Sequence, residues 1–111
     1  MTVERRIEIE KDIIKMIVTQ ALARGWQVSV NDGEEWVVTH ATDSKVIMEA
    51  VMSTDEDILA FRDKELERVG TILLVYGNSG HDVVCDHSCS PQMEAFMEFI
   101  FEYASKFENE E

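Results

Sequence analysis

Hydrophobic spacing changes period along this chain, helical at both ends and strand-like between, and that alternation narrows the available folds more than any other feature. From about Ile7 to Arg24, the residues Ile13, Ile14, Ile17, Val18, Ala21 and Leu22 recur at the spacing of one broad helical face, and Gly25 follows at the place of a C-terminal cap. Trp26 to Val30 then alternates apolar with polar, Asn31-Asp32-Gly33 supplies residues that tolerate positive φ, and Glu35 to Thr39 is rich in strand formers. This pattern predicts a hairpin. Asp43 or Ser44 caps a short helix with Val46, Ile47, Ala50 and Val51 on one face, ending near Ser53-Thr54. Three strands are expected next, Ile58 to Arg62, Gly70 to Tyr76 and Asp82 to Asp86, with turns at 63–68 and 77–80. Because Thr71 to Tyr76 is apolar on both faces, it reads as a central strand covered from both sides. Ser90 and Pro91 fit the N-cap and first position of a final helix running to about Lys106.

The resulting order, α-β-β-α-β-β-β-α, is that of an α+β domain with helices packed on a largely antiparallel sheet. A chain of 111 residues suits one domain, 1–111, long enough to bury a core without a disulfide or a structural metal. Its hydrophobic fraction of 45% with a single proline is that of a folded protein, and the acidic end at 107–111 is expected to stay disordered. Charged residues rather than an apolar run follow Met1, and no stretch approaches the length of a membrane span. The expectation is a cytoplasmic protein with no membrane partner, in which Cys85 and Cys89 stay reduced.

Net charge is −13, and it is unevenly placed: residues 1–30 carry +1, residues 31–79 carry −7 and residues 80–111 carry −7. Such a field repels nucleic acid and anionic lipid within a Debye length of roughly 8 Å at physiological salt, so direct nucleic-acid binding is disfavoured. In the final helix, Phe96, Phe99, Ile100, Tyr103 and Phe107 mark the apolar face, widened by Met93, Met97, Phe101 and Ala104. Opposite runs a ridge of Glu94, Glu98 and Glu102. A charge run of this kind usually faces solvent; as a binding surface it would meet a basic protein partner. An apolar arc this broad belongs either to a helix set deep between layers or to one that covers a second copy, leaving a monomer and a homodimer both open.

His81, Cys85, His87 and Cys89 lie within nine residues and are types that ligate zinc. On a strand His81, Cys85 and His87 would share a side, with Cys89 just beyond the end. Their spacing is not that of a zinc knuckle, since same-face neighbours sit about 7 Å apart whereas zinc draws ligand atoms to about 2 Å from itself. The competing expectation, with no cofactor, is that Cys85 is a small buried hydrophobe while His81 and His87 occupy strand ends or the solvent side. A redox pair is a third option, weakened by the absence of Cys-x-x-Cys and of a nearby basic residue.

Signals for catalysis are sparse, and the reading leans away from an enzyme. Ser79 lacks a Gly-x-Ser-x-Gly elbow and fits a turn; His40 with Asp43, or His81 with Asp82, are pairs that an acidic chain offers by chance. Asp55-Glu56-Asp57 lacks EF-hand spacing and reads as a solvated loop flanking a strand. A small hydrolase is accordingly the weakest of the alternatives.

The stretch from Met52 to Asp63, the run Val69 to Asn78, and the strand Asp82-Val83-Val84 with Asp86 together resemble a group of small acidic bacterial proteins of unassigned function, many found in phage, plasmid or other mobile-element contexts. The resemblance covers roughly residues 30–90 and consists of strands and turns rather than a catalytic motif. That group commonly has a small polar residue and a tyrosine where Cys85 and His87 stand, which counts against a metal. It implies no functional residues. The expectation from these features together is a non-enzymatic accessory protein acting by protein–protein contact, in its sharper form an anti-defence protein whose carboxylates at Glu94, Glu98 and Glu102 occupy the cationic groove of a nucleic-acid-handling partner.

Overall fold

The computed structural model describes residues 2–109. Its elements are α1 (Val3–Ala23), β1 (Gln27–Asn31), β2 (Trp36–Ala41), α2 (Ser44–Ala50), β3 (Glu56–Arg62), β4 (Arg68–Val75), β5 (Val84–His87) and α3 (Pro91–Ser105), in the order that the hydrophobic periods predict. The strands form one sheet, β2-β1-β3-β4-β5, with every neighbouring pair antiparallel. β2 and β3 flank β1, so α2 carries the chain across that strand from one side to the other.

Local chemistry sets the boundaries. Thr2 caps α1 by accepting the Arg5 amide at 3.1 Å, which starts the helix four residues before the apolar stripe becomes visible at Ile7. Gly25 ends it with φ +80, where a side chain would be strained. Between β1 and β2, Asp32 Oδ1 accepts the Glu34 and Glu35 amides at 3.0 Å each, and those bonds hold its carboxyl below the usual value. Asp43 caps α2 through the Lys45 amide, and Ser90 caps α3 through Met93 with Pro91 in the first turn.

All three helices lie on one face of the sheet. Val28, Val30, Leu59, Phe61, Ile72 and Leu74 point towards them and are fully buried, meeting Ile9, Ile13, Ile14 and Ile17 of α1 and Phe96, Met97 and Ile100 of α3. Trp26, Phe61 and Phe96 form a ring cluster with centroids 5.0 to 5.8 Å apart, and the Arg24 guanidinium lies 5.0 Å from the Phe96 ring. Gly70 lets α3 approach β4: a Cβ there would collide with Met93 and come within 2.5 Å of Ser88 Oγ.

Four expectations need correction. β4 lies inside the sheet between β3 and β5 but is covered on one face only; Leu73 and Val75 are half-buried on the open side, because all three helices pack on the other. Val46 is exposed and the inner face of α2 is made instead by Ile47 with Met48 and Ala50 beside it, since seven residues allow contact along a single edge. On α3, Phe99 and Phe101 stand outside the core at 42% and 45% exposure, which narrows its buried arc to Met93, Phe96, Met97, Ile100, Ala104 and, just past the helix, Phe107. That buried Phe107 also anchors the start of the segment expected to be disordered, with its amide bonded to Ala104 O at 3.0 Å; Glu110 and Glu111 lie outside the described residues.

Candidate functional site

Two carboxylates lie inside the fold rather than on it. Asp57 is completely buried, because β3 begins at Glu56 and the two-residue period of Leu59 and Phe61 carries position 57 onto the helix-covered face. The solvated-loop expectation therefore fails for this residue. Its Oδ2 accepts the Met52 amide at 2.8 Å and the Tyr76 hydroxyl. Burial raises the Asp57 carboxyl above its ordinary value, against the opposing pull of those two hydrogen bonds, and burial together with the Asp57 bond raises the Tyr76 hydroxyl. Glu10, also fully buried, accepts the Gly77 amide at 3.0 Å and lies 3.5 Å from Arg6 Nε. These bonds tie α1, the segment before β3 and the end of β4 together. One oxygen of each carboxylate is used in this way; Asp57 Oδ1, Glu10 Oε1 and Arg6 Nε are buried without a hydrogen-bond partner among the described residues.

The histidines and cysteines are spread along one edge. His81 lies in the turn before β5; Cys85 is exposed within it, contrary to the expected burial; Cys89 is exposed beyond it. The register shift opposite Leu73 and Leu74 breaks the simple alternation that would have aligned these side chains. His87 turns towards the helices, with its ring 5.7 Å from that of Phe101 and Nδ1 2.8 Å from Ser88 O. Among the described residues, no group of three or more histidine, cysteine or acidic side chains is placed to hold a metal ion. The other pairs are likewise occupied otherwise: Asp43 bonds the Lys45 amide, and Asp82 bonds the Ser79 amide at 3.0 Å.

Glu94, Glu98 and Glu102 are exposed along one line of α3. At 100° per residue, Phe101 and Phe99 fall on opposite sides of that line, so the ridge is bracketed by two rings left in solvent. Among the described residues none of the three glutamates has an ion-pair partner. Tyr103, at the side of Phe99, donates to Asp12 of α1 at 2.6 Å and fastens the helix against its neighbour.

The open face of the sheet carries a different chemistry. Ser29, Ala60 and Thr71 are register partners across β1, β3 and β4, three small side chains in one cross-strand row that floor a depression of about 350 Å³. Trp36 and His40 stand at one side of it, Arg62 and Arg68 at the other. His40 has φ 51, the left-handed region, where the register of β1 and β2 shifts; its amide donates to Ser29 Oγ at 2.9 Å. Sequence reading missed this grouping. Alternation alone puts Ala60 and Arg62 on one face, but which strands lie beside them is a matter of pairing order.

No protein-family model, no curated protein and no solved structure matches the chain.

Proposed function

We propose that this chain is a non-catalytic binding protein that docks a basic protein partner through the outer face of α3. What carries the reading is the composition of that face: Glu94, Glu98 and Glu102 without a cationic partner among the described residues, bracketed by Phe99 and Phe101 at 42% and 45% exposure. Two like-charge i, i+4 pairs cost the helix a few tenths of a kcal/mol each, and exposed aromatic rings forgo the burial available to them. A partner bearing arginine or lysine around an apolar recess relieves both at once, since aromatic anchors supply contact energy while carboxylates steer approach and select charge. Surfaces shaped to hold nucleic acid have that character, which makes a nucleic-acid-handling protein the partner class of choice.

The test uses the tagged chain, its Glu94→Lys/Glu98→Lys/Glu102→Lys variant and its Phe99→Ala/Phe101→Ala variant, each presented to lysate of the cells that produce it at low and high salt. The expected result is capture of a cationic protein at low salt, with affinity at least about tenfold weaker for either variant and falling steeply with ionic strength. Equal capture by the charge-reversed chain would overturn the reading.

A further inference from the structure

On the open face, Arg62 and Arg68 stand directly opposite each other on β3 and β4. Like charges in that relation repel. The chain has 23 acidic side chains with which to neutralise them, yet neither guanidinium has an ion-pair partner among the described residues; Arg62 donates to the Leu66 carbonyl at 2.8 Å. The two cations adjoin the depression floored by Ser29, Ala60 and Thr71, and across it the indole of Trp36 is half-exposed. Beside Trp36, the strand irregularity and positive φ that place His40 at the rim are features that the fold maintains at a conformational cost.

We propose that this depression binds a small planar ring bearing a carboxylate or phosphate, with the oxyanion on Arg62 and Arg68 and the ring against Trp36. Guanidinium forks match the paired oxygens of either anion, and an aromatic face accepts a flat ring. Small side chains in the floor leave room for the ligand, and about 350 Å³ is the scale of a small-molecule site. The net charge of −13 limits the size of the occupant: a polyanion extends into the repelling field, whereas a compact anion seated between two cations is largely shielded from it. Binding here is separate from docking on α3, which lies on the opposite side of the sheet.

Amide chemical-shift titrations of the full chain with AMP, adenosine, inorganic phosphate and indole-3-carboxylate test the proposal. AMP or indole-3-carboxylate should saturate with shifts centred on Ser29, Ala60 and Thr71, and adenosine and inorganic phosphate should each bind at least about tenfold more weakly, since each supplies half of the recognition. Saturation by AMP alone identifies phosphate as the anion, and by indole-3-carboxylate alone the carboxylate. The Arg62→Gln/Arg68→Gln variant should lose at least about tenfold in affinity while its melting temperature is little changed, the relieved cross-strand repulsion offsetting the lost bond from Arg62 to the Leu66 carbonyl. Saturation by neither ligand at millimolar concentration, shifts centred off the open face, or undiminished binding by the double variant would overturn it.

Discussion

The two faces of the sheet are built to different ends from the same strands. On the covered face, Val28, Leu59, Phe61, Ile72 and Leu74 are sealed under helices, and the carboxylate that joins them, Asp57, has a tyrosine hydroxyl and a backbone amide on one oxygen. On the open face the same strands present Ser29, Ala60, Thr71, Arg62 and Arg68, small or charged side chains, with Leu73 and Val75 half-buried beside them. The core lies on one face of the sheet, and polar and cationic side chains stand on the other. A face freed from packing duty can carry cations opposite one another, an arrangement that a core could not tolerate.

The contrast breaks most sharply at Phe96, which meets both Trp26 and Phe61 under the sheet. Phe96→Ala should cost about 3–5 kcal/mol in urea unfolding. Next comes Gly70, where the covered face leaves no room beside Met93 and Ser88; Gly70→Ala should cost about 1–3 kcal/mol as α3 is pushed outward. A loss below 0.5 kcal/mol, on the order of a surface substitution, would mean that α3 is not seated as described.

The smallest effect is the most specific to the covered face and depends on pH. Burial raises the Asp57 carboxyl above its ordinary 3.8, so the folded chain takes up this proton more readily than the unfolded chain does. The stability linked to Asp57 is therefore full below about 3.8 and is lost as pH rises through the folded value. Asp57→Asn, which keeps an acceptor for Met52 and Tyr76, lacks that dependence. Urea titrations of both proteins should show the wild type gaining on the variant as pH falls from about 7 to about 4. A flat difference would place Asp57 in contact with water, and a reversed one would mean that its bonds to Met52 and Tyr76 outweigh burial.

Much of the architecture was legible because periodicity reports which side of an element meets the core. The α1 stripe of Ile13, Ile14, Ile17, Val18 and Ala21 is buried as its spacing predicts, and the Glu94, Glu98 and Glu102 ridge is exposed as its spacing predicts. The same signal misled at Thr71 to Tyr76, where apolar residues on both sides of a strand implied two covering layers and one is present. It misled again at Phe99 and Phe101, since an apolar residue at the border of a helical face is assigned by the partner it finds, not by its own spacing.

Element order, the cap residues Asp43 and Ser90, and the placement of charge along the chain follow from the sequence alone, because each depends on neighbours a few residues away. Strand order was decided only in the tertiary structure, and with it the burial of Asp57 beside Tyr76, the meeting of Glu10 with Gly77, and the row of Ser29, Ala60 and Thr71 flanked by Trp36 and two arginines. These contacts join residues far apart in the chain. Local propensity carries no record of which distant strand will pair, since that choice is made by the packing of the whole core at once.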